Sequence, residues 1–484
     1  MVPGGVATVV DRPPLDQVHW GMLAVDAESG RVLLSRDAHR KFVPASNMKV
    51  LVTAAALATL GPDHRFRTEA WGVGGLDPRT GRLEGDLVLV GSGDPTLSER
   101  FWGDDLAPLE ALADSLRSVG VREVEEALVV DASAWDSTTV AGSWMVSNLP
   151  WYYSATGGAF AVGEGDAEVV VRGGPRPGVP ATVAASPPAG SGLIVSSVTT
   201  VAPAAEEGPA DADLDVSWLP ESRRIELRGT VPAGAADTLR LAVRDPVRLS
   251  AALLHRVLEA RGIAVRDGWR VAWDPGIPVA LATLPERAPR CLTGSVPDCR
   301  AATRIASLAS PPLIEVVEGI LEPSQNWMTE QLVRLLGASD TTQAGWPAGL
   351  AAMERTLVDR VGVDSLDLSL RDGSGLSAYD LVTPRAMVRT LRWIRAQPWG
   401  EAYRRALAEP GEEGSTLSGR LPGLEGRVHA KTGTISNVNS LSGYLVTDEG
   451  REVVFSILSN GSGLPSRVVR DGIDAVVREL ASGG

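Results

Sequence analysis

Of the 46 basic side chains in this 484-residue chain, 43 are arginine and three are lysine. Two of the lysines stand in short motifs, Lys49 in Ser46-Asn47-Met48-Lys49 and Lys431 in Lys431-Thr432-Gly433-Thr434; the third is Lys41. Arginine keeps its proton in a protein, whereas a desolvated lysine can become a neutral amine and act as a base. A lysine three residues after a serine, in a chain that otherwise uses arginine, points to activation of a hydroxyl nucleophile.

The spacing suits a helix. Residues 50–60 are apolar nearly all round and end at Gly61-Pro62, which reads as a buried helix with a Gly-Pro stop. Pro44 places Ser46 in or near the first turn, where residues i and i+3 share a face and the lysine amine reaches the serine hydroxyl. Backbone N–H groups at a helix start have no intrahelical partner and can meet a developing oxyanion. Alone, Ser-x-x-Lys is weak, because an ordinary helix start with a surface-reaching lysine accounts for most isolated matches.

Two further elements follow in order. Ser324-Gln325-Asn326 precedes a helical run over residues 327–336, so a loop there points a hydroxyl and an amide at a shared cleft. Lys431-Thr432-Gly433-Thr434 leads into two apolar runs separated by Asp448-Glu449-Gly450, a hairpin signal that puts the motif on the strand just before it. Gly433, without a side chain, would let a substrate backbone approach that strand. His429 shares a face with Lys431 two residues on and reads as a sheet-surface histidine.

The three motifs together resemble the penicillin-recognising serine enzymes, whose signature is Ser-x-x-Lys, Ser-Asp-Asn and Lys-Thr-Gly. Gln325 here replaces the Asp. The long separation of Ser46 from Ser324 resembles the low-molecular-mass class C penicillin-binding proteins, the D-Ala-D-Ala carboxypeptidase/endopeptidase family. So do Gly91-Ser92-Gly93-Asp94-Pro95-Thr96, Asp372-Gly373-Ser374-Gly375-Leu376-Ser377 and Gly414-Ser415-Thr416-Leu417. The resemblance implies a serine DD-peptidase acting on peptidoglycan stem peptides and acylated by β-lactams, with no cofactor or metal. By the same resemblance Ser46 is the nucleophile, Lys49 its base, and Ser324 the proton relay to the leaving D-Ala nitrogen. Asn326 holds the substrate amide and orients Lys49. The N–H groups of Ser46 and Thr434 form the oxyanion hole, and Lys431, Thr432 and Thr434 receive the terminal carboxylate. A segment around Trp151-Tyr152-Tyr153 departs from the family pattern, with Thr156 and Gly158 at positions where a Pro and a polar residue are expected. Its aromatics are either a pocket wall or core of the insertion.

Composition fits a globular chain of two or three domains, at 44% hydrophobic and 22% charged. A net charge of −14 argues against nucleic acid or a polybasic membrane anchor. No apolar run reaches membrane-spanning length. No secretory leader is visible at Met1-Val2-Pro3-Gly4-Gly5, so an exported, periplasmic or wall-associated member of this family would start here after its leader has been removed. Cys291 and Cys299 allow a loop-closing disulfide or two free thiols. The five histidines are scattered and support no metal site.

The elements that must position the motifs come from both chain ends. Residues 21–26 and 31–35 flank Glu28-Ser29-Gly30 as a hairpin, and apolar residues between 468 and 480 recur at helical spacing. Asp471, Asp474 and Glu479 on its polar side favour docking of that helix on the sheet over a membrane surface. The expected fold is α+β, with an antiparallel sheet carrying helices on both faces. Residues 1–66 and 285–484 would form this discontinuous catalytic domain, interrupted by a β-rich insertion over 67–284. That insertion would hold one or two small satellite domains, a helix over 106–118, and loops at 173–192 and 204–213. Two alternatives share the reading: a β-lactamase or D-amino-acid esterase or amidase, and a non-catalytic wall-binding protein. Rapid deacylation marks the first; the intact Ser46, Lys49, Ser324, Asn326 and Lys431 argue against the second.

Overall fold

The first and last strands of the chain lie side by side. In a computed structural model, which describes residues 2–188, 194–203, 212–220, 224–273, 302–338 and 343–483, His19–Asp26 pairs with Glu452–Asn460 along its whole length. The five-stranded antiparallel sheet runs in the order Val32–Arg36, His19–Asp26, Glu452–Asn460, Val438–Val446, Val428–Ile435. Its turns sit where glycine permits a left-handed backbone: Gly30 (φ 74°) closes the first hairpin and Gly450 (φ 77°) the last. The motif strand Val428–Ile435 is at the edge; Ala408 bridges to it at Ala430, and beyond that bridge no described strand pairs with its outer side, where an extended ligand can lie.

The strand Val438–Val446, next to the motif strand, alternates between two kinds of face. Leu441 and Leu445 join Val469, Ile473, Val476 and Val477 of the terminal helix Ser466–Ala481, and Val6 and Val10 of Gly4–Val10, in one apolar core. A fully buried leucine or valine here contributes roughly 1.5–3 kcal/mol. The terminal helix thus docks on the sheet, as its polar and apolar sides imply. The opposite face carries Ser440, Ser442 and Tyr444, and the Tyr444 hydroxyl donates to the Leu391 carbonyl of helix Pro384–Arg395 at 2.8 Å.

Helix Met48–Leu60 is buried over residues 48–57, on all sides, because helices Leu313–Leu321, Asn326–Ala338 and Pro384–Arg395 surround it. Its sequence therefore has no amphipathic stripe. Gly61, at φ 88°, ends it. The α+β architecture with helices on both sheet faces is the one the sequence implies.

The chain divides into two compact units: 1–65, 141–144 and 311–484 in the first, 66–140 and 145–310 in the second. Residues 141–144 come from within the insertion and belong with the catalytic motifs. In the second unit, Leu87–Gly91, Leu128–Asp131 and Trp269–Ala272 pair in parallel, with Ala107–Ser118 and Pro246–Ala260 in the intervening crossovers. This is α/β organisation where a β-rich insertion with one helix over 106–118 is expected; that helix is present as Ala107–Ser118, and Pro246–Ala260 is added to it. Arg67–Val73 and Ala302–Ala309 extend the same sheet antiparallel, so residues 302–310 belong with the insertion's sheet and not with the motif segment. Two further sheets, built around Asp166–Arg172 and Arg224–Pro232, enclose a separate core of Val169, Val171, Ile225, Leu227 and Leu241.

The tract 173–192, expected as loop, contains the strand Thr182–Ser186, whose partner Asp166–Arg172 supplies the register that local composition lacks. Residues 154–160 are core of the second unit: Ala155, Thr156, Ala159 and Phe160 are buried, and Ala159 accepts the Gly93 N–H at 2.9 Å, whereas Trp151 and Tyr153 are half-buried and Tyr152 is exposed. Cys291 and Cys299, and most of the acidic stretch 204–213, lie outside the described residues. No described helix is long and apolar enough to cross a membrane.

Candidate active site

Ser46 sits in a single 3-10 turn, Ala45–Asn47, that runs directly into helix Met48–Leu60. The turn is held from three sides. Asn47 Nδ2 donates to the Lys431 carbonyl at 3.0 Å and to Ser440 Oγ at 2.7 Å, and Ser440 Oγ donates to the Pro44 carbonyl at 2.7 Å. Ala45 itself adopts φ 47°, a left-handed conformation that costs a residue with a Cβ and persists only where its surroundings impose it. Gly375, at φ 78°, leaves room for it: a Cβ there would fall 1.9 Å from the Ala45 carbonyl oxygen.

Lys49 is fully buried and its amine makes three contacts: Ser46 Oγ at 2.8 Å, Asn326 Oδ1 at 2.7 Å and the Ser374 carbonyl at 2.9 Å. Burial pulls this amine down to about 7, against the carboxylates of Asp372 and Glu330, which favour its charged form. Lys431 is equally buried, and its amine donates to the Thr432 carbonyl at 3.1 Å. Desolvation, and then the charge of Lys49, hold it well below the ordinary amine range.

Asn326 opens helix Asn326–Ala338, and Gln325 caps it by accepting the Trp327 N–H at 2.6 Å. The residue that departs from the family motif therefore has a structural task at the helix start. Ser324 precedes it at φ 64°, again left-handed, and lines a cleft of about 310 Å³ with Ser46, Thr416, Arg420, Thr432, Gly433, Thr434 and Arg470. Thr432 Oγ1 donates to Thr416 Oγ1 at 2.8 Å, and Thr434 Oγ1 reaches Asn439 Oδ1 at 3.4 Å. Ser46, Lys49, Asn326 and Ser374 are thus joined by direct bonds, Ser324, Thr432, Gly433 and Thr434 border the same cleft, and Lys431 lies buried in the adjoining strand.

Gly433 has a different reason from the one its motif implied. A Cβ there would lie 2.3 Å from Ser440 Oγ and 2.9 Å from Ser46 N, so the bare Cα admits the protein's own nucleophile turn against the strand. His429 lies 3.8 Å from Glu409, and burial lowers its proton affinity, which suits a structural residue on the strand.

Behind Lys49 lies a layer that sequence reasoning missed. Glu330, fully buried, accepts the N–H groups of Gly373 at 3.0 Å and Ser374 at 2.7 Å and the Trp346 indole at 2.8 Å. Desolvation, and then the neighbouring Asp372, push its carboxyl up to about 7. Asp372 accepts the N–H groups of Gly375 and Ser377, both at 2.7 Å, and the indole of Trp144 at 2.8 Å. Asp380, also buried, is driven well above the usual carboxyl range by desolvation and by Asp372. Its carboxyl accepts the Arg371 N–H at 2.6 Å. Among the described residues, no group of three or more His, Cys, Asp or Glu is placed to hold a metal ion.

Such a site can activate a serine hydroxyl with a partly deprotonated lysine beside an open sheet edge. Comparison with known proteins agrees in kind. The profile of the D-Ala-D-Ala carboxypeptidase 3 (S13) family matches residues 4–284 and 290–482. A D-alanyl-D-alanine carboxypeptidase of Actinomadura sp. (strain R39) is 34% identical over 509 aligned positions, covering 98% of this chain and 84% of the relative. Penicillin binding protein 4 of Haemophilus influenzae shares the fold at a TM-score of 0.81 and 22% identity, with 98% of each chain covered. The same protein complexed with a β-lactam superposes at a TM-score of 0.72 and 20% identity.

Proposed function

Because this chain belongs to the D-Ala-D-Ala carboxypeptidase 3 (S13) family, a family of serine peptidases, we propose that its own site cleaves peptides ending in D-Ala-D-Ala through an acyl-enzyme on Ser46. The observation that carries this reading is the contact of the buried Lys49 amine with Ser46 Oγ at 2.8 Å. With its proton affinity lowered to about 7, a substantial fraction of Lys49 is neutral at neutral pH and can take the hydroxyl proton as Ser46 attacks the penultimate carbonyl.

The N–H groups of Ser46 and Thr434 receive the oxyanion. Asn326 and the Ser374 carbonyl fix the Lys49 amine in line with the hydroxyl, and such fixed polar groups cost no reorganisation during reaction. Lys431 is buried nearby, and the charge of Lys49 adds to the desolvation that lowers the proton affinity of Lys431 itself. Ser324, held in its strained conformation at the cleft, passes a proton to the leaving D-Ala nitrogen. Thr432 and Thr434 bind the substrate's C-terminal end along the open strand edge. Water then hydrolyses the acyl-enzyme, returning Ser46.

The substrates this implies are stem peptides of the cell wall, which places the enzyme outside the cytoplasm, and D-Ala-diamino acid cross-links carry the same scissile chemistry. β-Lactams, as mimics of the peptide, acylate Ser46. The test is release of D-alanine from an N-acylated peptide ending in D-Ala-D-Ala. Turnover that disappears in Ser46→Ala and in a peptide ending in L-Ala-L-Ala supports the reading. Equal turnover by the Ser46→Ala protein overturns it.

A further inference from the structure

The cleft beside Ser46 has an unbalanced positive charge that the three motifs do not supply. Lys431 does not border the cleft among the described residues; it is buried and donates to the Thr432 carbonyl. Arg420 does border it, but its charge is paired with Asp474, to which Nη2 and Nε donate at 2.5 and 3.2 Å, in a pair whose side chains are 13% and 15% exposed. Thr416, Thr432 and Thr434 contribute only neutral hydroxyls. Arg470 is the exception. It lies on the terminal helix Ser466–Ala481 and is exposed, and among the described residues no carboxylate lies within ion-pair distance of it. On a chain of net charge −14, this is a local excess of one positive charge at the mouth of the reactive cleft.

We propose that Arg470 recognises the α-carboxylate of the leaving residue, making it a specificity-determining residue for the reaction put forward above, on which this inference rests. A guanidinium reaches a carboxylate by two parallel hydrogen bonds and keeps its charge at every working pH. The terminal helix therefore has a second task besides covering the sheet: it presents a cation to the end of the substrate that departs. Leaving groups that carry an α-carboxylate, D-alanine or the D-centre of a diamino acid, are selected over amidated ones.

The test uses the full chain carrying Ser46→Ala, so that binding is read without turnover, and two ligands: an N-acylated peptide ending in D-Ala-D-Ala and its C-terminal amide. Calorimetry is run with Arg470 intact, with Arg470→Gln and with Arg470→Lys. Arg470→Gln weakens binding of the free acid about tenfold, as expected for loss of one charge-assisted contact in an open cleft, and leaves the amide within about twofold. Arg470→Lys, which keeps the charge but not the paired donors, restores part of the loss. Equal weakening of acid and amide, or no change in either, overturns the proposal. Turnover of the free acid by the protein with Ser46 intact is measured separately and tests only the hydrolytic reading.

Discussion

Glu330 accepts the N–H of Ser374 at 2.7 Å, and the carbonyl of that same Ser374 accepts the Lys49 amine at 2.9 Å. One peptide unit away from the base, a buried carboxyl therefore fixes both where Lys49 points and how readily it gives up its proton. The proposed base, Lys49, thus has behind it a second tier of buried acid, Glu330 with Asp372, and the indoles of Trp346 and Trp144 that bind those carboxyls.

Replacing Glu330 by Gln keeps the shape and removes the negative charge. Lys49 is active as a base when neutral, so kcat/KM rises with pH through its titration near about 7. Because the Glu330 charge favours protonated Lys49, its removal moves the acidic limb of the kcat/KM profile to lower pH, by up to about one unit. The Gly373 and Ser374 N–H groups also lose an ionised acceptor, and kcat falls roughly tenfold. An acidic limb that stays in place or moves upward contradicts this account of the base.

Lys431→Met separates stability from activity. The Lys431 amine is fully buried, its resolved charge neighbour is another lysine, and its proton affinity in the folded state is well below that of an unfolded lysine near roughly 10.4. Between those two values the unfolded chain binds more protons, so the native protein gains stability as pH rises through that interval. Methionine removes this effect. The variant is therefore more heat-resistant than the native chain at pH 6, and its advantage shrinks by pH 9, while turnover drops by at least about a hundredfold. Thermal melts at the two pH values check the sign; an advantage that grows with pH contradicts it.

Gly375→Ala strikes the nucleophile without touching it. The new methyl would lie 1.9 Å from the Ala45 carbonyl, at a φ of 78° that alanine resists. The turn carrying Ser46 must shift, with a loss of roughly 1–3 kcal/mol in stability and a much larger proportional loss of acylation rate. Urea unfolding together with the rate of β-lactam acylation measures both. Acylation at the native rate would show that the 372–377 turn does not position Ser46.

Much of this site was legible before any coordinates. Helical spacing brings Lys49 to Ser46, and the resemblance to the penicillin-recognising serine enzymes adds Ser324, Asn326 and the Lys431-Thr432-Gly433-Thr434 strand. The sheet from both chain ends was legible from its hairpin and helix periods. What escaped depends on contacts between distant segments. Glu330 looked like any helix residue, and only folding sets it against Gly373 and Ser374. Trp144 sits in an insertion, 228 positions from its acceptor Asp372. Arg470 fell on the polar side of an amphipathic helix, where helical spacing cannot tell solvent from a cleft. The strand Thr182–Ser186 hid in a tract rich in Pro, Ala and Gly because its partner decides its conformation. Gly433 was noticed, but its neighbour is the protein's own Ser46 turn.

The central claim, an acyl-enzyme on Ser46, is tested most directly by intact-protein mass spectrometry over time after addition of benzylpenicillin, with Ser46→Ala in parallel. The account predicts one long-lived adduct of the mass of the drug on the native protein and none on the variant. No adduct with the drug left intact contradicts it, and hydrolysed drug without an adduct assigns the site to a β-lactamase.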